Sequence, residues 1–233
     1  MADGISFSTG PIELTVQTGP TGPLAMLRRL GRTAASKAER CELCGIELPP
    51  EHEHLIDPAT RKLTCACGAC AILFDGRQSA RYRRVPRRIE FLKDFQLNDE
   101  QWESLHLPIN LAFFFHSSAA QRVVAIYPSP AGATESLLTL EAWGALVAAN
   151  PVLNELEPDV EALLVNRVGP IRDYIRAPID ECFKLVGIIR MHWRGLSGGT
   201  EVWKEINRFN ESLKERSAVA SGAPSVSEGA PLA

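Results

Sequence analysis

No apolar run in this sequence approaches the roughly 18 residues that a membrane-spanning helix needs; the densest are LAFFF and FKLVGII. The opening stretch, MADGISFSTGPIELTVQTGPTGP, has an acid at position 3 and no apolar block of signal-peptide length, so export by that route is not expected. Charge of one sign is missing too. There are 25 Lys and Arg against 28 Asp and Glu, a formal net charge of −3, and no global field to draw the chain onto DNA or an anionic membrane. These absences predict a cytoplasmic protein with no membrane insertion. What remains is ordinary globular material, 45% hydrophobic and 23% charged, which excludes wholesale disorder and fibrous structure.

The ends differ in composition from the middle. Residues 1–21, rich in Gly, Thr and Pro, predict a flexible arm, and 22–38 an amphipathic helix with Leu24, Leu27 and Leu30 on one face. Residues 217–233 are mostly Ala, Ser, Gly, Pro and Val and predict a disordered tail. Between them lie a cysteine-rich finger at 39–76, a basic connector at 77–96 and a larger unit at 97–216. In that unit Asn98 suits an N-cap before Trp102 and Leu105. INLAFFFH and RVVAIYP suit a hairpin, and VEALLVNRV a third strand. TLEAWGALVAANP suits a helix capped by Thr139; PIDECFKLVGIIRMHW and TEVWKEINRFNESLKER suit two more. The expected fold class is α+β: a small treble-clef or zinc-ribbon-like finger, then an α+β domain with a small, mostly antiparallel sheet and helices on one face.

Cysteine carries the most specific signal. Cys41-Glu-Leu-Cys44-Gly45 has the spacing of a metal knuckle, and Cys67-Gly68-Ala69-Cys70 repeats it. Four thiolates in two matched pairs select zinc or iron. A signal-less, core-rich chain favours a metal over disulfides. The intervening EHEHLIDPATRKLT predicts a hairpin that joins the pairs, and ACAILF a short helix. Cys65, two residues before Cys67, is the alternate fourth ligand; His52 and His54 are weaker competitors, since histidines on an exposed hairpin are usually solvated. Rubredoxin-type sites end both pairs in Cys-Gly, whereas Ala71 follows Cys70, so zinc is preferred to iron. Four protein thiolates leave no open position, which makes the expected role structural.

Other features admit plainer readings. RQSARYRRVPRR has six arginines in twelve residues, yet acids follow at Glu90 and Asp94 and a second basic stripe is missing, so a solvated edge strand or linker is preferred to a nucleic-acid surface. YPSPAGATES and WRGLSGG spend Gly, Pro and hydroxyl residues in what read as loops; Glu135 and Arg194, at their edges, are the candidate partner-binding charges. Cys182 reads as a core residue, and nothing in the sequence brings His116, His192 and Ser197 together as a nucleophile set.

At CELCGIELPPEHEHLIDPATRKLTCACGACAILF, YPSPAGATES, NPVLNELEPDVEALLVNR and PIDECFKLVGIIRMHWRGLSGGTEVW, over about residues 38–215, the chain resembles an uncharacterised bacterial family associated with gene clusters of nickel–iron uptake hydrogenases. That resemblance implies a non-catalytic accessory or maturation role with a hydrogenase subunit or maturation factor as partner. It puts Cys41, Cys44, Cys65, Cys67 and Cys70 all in the pattern, so the fourth ligand stays open. The alternatives are a rubredoxin-like iron protein that passes electrons to the hydrogenase and, more weakly, a zinc finger that binds nucleic acid.

Overall fold

The computed structural model describes residues 38–75, 81–136, 143–195 and 198–221. The arm at 1–21, almost all of the helix at 22–38, the Thr139 cap and the tail beyond Ser221 lie outside these residues. The described residues from Glu39 to Ser221 pack as one compact unit.

The finger begins with a turn at Cys41–Cys44 and continues into strands β1 (Glu53–Asp57) and β2 (Lys62–Ala66), then helix α1 (Gly68–Phe74). β1 and β2 pair antiparallel, and the two-residue strand β3 (Arg83–Arg84) adds to the free edge of β1. Knuckle, hairpin and helix in that order make the treble-clef arrangement. The arginine run is therefore partly an edge strand, and the guanidinium groups of four of its described arginines are matched by acids distant in sequence. Arg81 pairs with Asp57, Arg84 and Arg87 with Glu53, and Arg88 with Glu161.

The larger sheet has six strands in the order β4-β9-β8-β5-β6-β7, each neighbouring pair antiparallel. They are β4 (Glu90–Phe91), β5 (Leu111–Ser117), β6 (Arg122–Ser129), β7 (Gly132–Glu135), β8 (Glu161–Asn166) and β9 (Asp173–Pro178). The expected β5–β6 hairpin and the strand at β8 are present. YPSPAGATES, read as a loop, is instead most of a tight β6–β7 hairpin, in which Gly132 takes φ +127°, a conformation suited to glycine.

Helices cover both faces of this sheet, which corrects the expectation of one. On one face α4 (Ile179–His192) and α5 (Gly199–Ser221) bury Cys182, Leu185, Ile189, Ile206 and Leu213 against Phe113, Phe115 and Ile126. On the other, α2 (Asp99–Glu103), α3 (Trp143–Ala149) and a 3-10 turn at Pro151–Glu155 bury Trp102, Leu146 and Leu153 against Phe114, Leu163 and Tyr174. The reason is in the strands. LAFFF in β5 and EALLVN in β8 are buried at every position, with no polar alternate to face water. Asn98 caps α2 as expected, in a reciprocal capping box with Gln101.

Strand β9 was not expected, because DYIRAP carries two charges and ends in proline. Arg176 and Glu161 are 3% and 2% exposed, and the guanidinium grips the carboxylate through Nε at 3.0 Å and Nη2 at 2.5 Å. A buried charge is tolerated in such a strand because a forked partner on β8 satisfies it. The finger shares the first of the two cores: Ile56 on β1 packs there with Val160 and Ile179. Among the described residues no helix is long and apolar enough to cross a membrane.

Candidate metal centre

The knuckle forms because Gly45 adopts φ +79° and closes the turn: its N–H donates to the Cys41 carbonyl, and the Cys41 N–H donates to the Ile46 carbonyl, both at 2.8 Å. Glu42 stitches this turn to β2. Its backbone N–H donates to the Cys65 carbonyl and its side chain accepts the Cys65 N–H, each at 2.9 Å. Cys67, the N-cap of α1, accepts the Cys70 N–H at its sulfur, so the second pair straddles the start of the helix. A helix does not need glycine after its second cysteine, which accounts for Ala71 at that position.

Cys41, Cys44, Cys67 and Cys70 converge, with their sulfurs all within 4.8 Å of one another. Cys44 Sγ and Cys67 Sγ are 3.7 Å apart. Around a tetrahedral zinc with metal–sulfur bonds of about 2.3 Å, neighbouring sulfurs stand about 3.8 Å apart. The donor set and its spacing therefore fit one four-coordinate ion. Cys41 and Cys70 are buried, Cys44 is exposed and Cys67 lies between.

The electrostatics of the cluster are those of donors in want of a cation. Burial alone would raise the Cys41 thiol, but backbone N–H groups of Cys67, Cys44 and Leu43 directed at the sulfur bring it down to about 6. Burial pushes Cys70 up to about 12, and the neighbouring Cys67, Cys44 and Cys41 add to the rise. Four sulfurs this close cannot all ionise without a positive charge among them.

Cys65 is not in this group. It falls with His52 and His54, whose donor atoms form a second cluster within the same 4.8 Å limit. His54 Nδ1 lies 2.8 Å from Asp180 Oδ2 on α4, and this hydrogen bond raises the histidine pKa. Sequence reasoning weighed these histidines only as rivals for the first site. Their i, i+2 spacing at the start of the hairpin was the available signal.

The two candidate partner-binding charges lie on different elements. Glu135 ends β7 with its carboxylate held by Arg61 and Arg122, each at 2.7 Å. Arg194, in the turn between α4 and α5, donates through Nη1 to the carbonyls of Met191 and Trp193. Cys182 is fully buried in the core. Apolar side chains that stay exposed include Ile46, Ile72, Leu73 and Phe74 on the finger, Met191 on α4 and Trp203 on α5.

Residues 40–217 match a family of unknown function (DUF5947), and the chain belongs to that family. No curated protein and no solved structure matches the chain.

Proposed function

We propose that this member of the family is a non-catalytic accessory protein in which Cys41, Cys44, Cys67 and Cys70 hold one structural zinc ion. The observation that carries the reading is the convergence of four sulfurs with a 3.7 Å separation between Cys44 and Cys67. Thiolates at all four corners leave the ion no open position, so it staples the finger and does no chemistry. A segment as short as 39–75 has too little core of its own to fold without such a staple.

Zinc is preferred to rubredoxin-type iron because only the first pair is a glycine knuckle. The second opens a helix at Gly68–Phe74. The nucleic-acid alternative is weakened by the carboxylates that already occupy Arg81, Arg84, Arg87 and Arg88. A hydrogenase subunit or maturation factor as partner rests on the sequence resemblance alone.

Within the larger unit, Arg194 is the stronger candidate contact, because Glu135 already has its charge matched by two arginines. The exposed apolar side chains of α1 offer the competing surface. Full-length protein used as bait in the native cell, with Arg194→Ala and Leu73→Ser variants beside it, tests the reading. Capture of a hydrogenase-related protein that Arg194→Ala weakens supports it. Turnover of a substrate by the purified chain, or capture of nucleic acid alone, contradicts it.

A further inference from the structure

A second group on the finger has the donors of a metal site. His52 lies just before β1, His54 lies within it, and Cys65 is the cross-strand partner of His54. The rings of residues 52 and 54 meet although only His54 is in β1, and the antiparallel register brings Cys65 opposite His54. One donor atom from each of the three lies within 4.8 Å of the others. The two imidazole rings meet edge to face with centroids 4.8 Å apart.

Different acceptors set both rings in the same tautomer. His52 Nδ1 lies 3.0 Å from the Pro49 carbonyl oxygen and 3.6 Å from a Glu39 carboxylate oxygen. His54 Nδ1 lies 2.8 Å from Asp180 Oδ2. Carbonyl and carboxylate oxygens only accept, so each Nδ1 carries a proton, and in the neutral ring each Nε2 presents a lone pair. Carbonyl–histidine and carboxylate–histidine pairs of this kind orient metal ligands and raise their basicity. The His52 side chain is 6% exposed, and its Nε2 is buried without a hydrogen-bond partner. A buried acceptor left unpaired is costly, and a cation between three donors removes that cost.

We propose that His52 Nε2, His54 Nε2 and Cys65 Sγ bind a second divalent transition-metal ion of the zinc class. Two imidazoles and a thiolate are borderline donors that suit Zn²⁺ and its spectroscopic substitute Co²⁺. Three protein donors on a four-coordinate ion leave one position for water or a small ligand, unlike the closed tetrathiolate centre. Both histidines line a cleft of about 630 Å³, whose wall also carries Arg87, Asp180, Lys184 and Arg216. The site goes beyond the structural role given to the first ion. Because the two share no ligand, either can fail while the other stands.

The full chain carrying one equivalent of zinc is titrated with Co²⁺. The expected result is about one further equivalent bound with the zinc retained, visible ligand-field bands and a thiolate-to-cobalt charge-transfer band. His52→Ala and Cys65→Ser should each abolish those bands and keep the zinc, which reports that the finger is still folded. Asp180→Asn should weaken cobalt binding by about 10- to 100-fold. Cobalt that binds only by displacing zinc, or a charge-transfer band that survives Cys65→Ser, overturns the proposal. Should either variant lose its zinc as well, X-ray absorption of the cobalt-loaded native chain decides: a shell of two imidazole nitrogens and one sulfur supports the site, and an all-sulfur or all-oxygen shell overturns it.

Discussion

Cys44 Sγ and Cys67 Sγ lie 3.7 Å apart although 23 residues separate them in sequence. Cys65, only two residues from Cys67, takes part in a different cluster. Strand β2 ends at Ala66 and the helix begins at Gly68, so Cys67 turns into the cap while Cys65 stays on the strand face.

Cys67→Ser should therefore lose the tetrathiolate metal, and Cys65→Ser should keep it. X-ray absorption of both purified variants, which separates an all-sulfur shell from one containing imidazole nitrogen, gives the answer. An all-sulfur shell lost from Cys65→Ser and kept in Cys67→Ser would exchange their roles.

Ile56, on the finger, is 1% exposed and belongs to the same core as Leu164 and Ile179 of the larger unit. Ile56→Ala should destabilise the whole chain by about 2–5 kcal/mol. Denaturant unfolding followed by tryptophan fluorescence should show a single shifted transition, since the tryptophans lie at 102, 143, 193 and 203, outside the finger. An unshifted midpoint would mean that the finger and the large sheet are energetically separate.

Much of this was legible in the sequence. The cysteine pairs are local, and so are the LAFFF–VVAI hairpin and the α4 pattern. What escaped depends on partners far along the chain. Strand β9 reads as charged until Glu161 appears beside Arg176, and the arginine run reads as basic until Glu53, Asp57 and Glu161 fold against it. The His52, His54 and Cys65 group needed the β1–β2 register, which no local pattern supplies.

Because Arg176 and Glu161 are both buried, removal of one partner should cost more than removal of both. Arg176→Met alone should destabilise by about 3–5 kcal/mol, and Arg176→Met with Glu161→Gln by less. A double-mutant cycle in urea measures the difference. Strictly additive losses would show that the two charges are not coupled.

Burial raises the Glu135 carboxyl, but the guanidinium groups of Arg61 and Arg122 outweigh it and hold the pKa below its ordinary value. A depressed folded pKa means that the ion pairs stabilise in full above the unfolded value of about 4.3 and fade as pH falls through the folded one. Glu135→Gln should then lower stability near neutral pH by about 1 kcal/mol or less. Its deficit should vanish in acid, as read from thermal midpoints across that range. A deficit that persists at the acid end would assign the loss to packing.

The central claim, a closed tetrathiolate zinc centre, is tested most directly by the metal and its ligand shell in the full-length Cys65→Ser chain, purified from cells supplied with both zinc and iron. The account predicts about one equivalent of zinc, no visible absorption and an all-sulfur shell at about 2.3 Å. A folded but metal-free chain, or a shell containing nitrogen or oxygen, would contradict it, and visible bands from bound iron would turn the reading to an electron carrier.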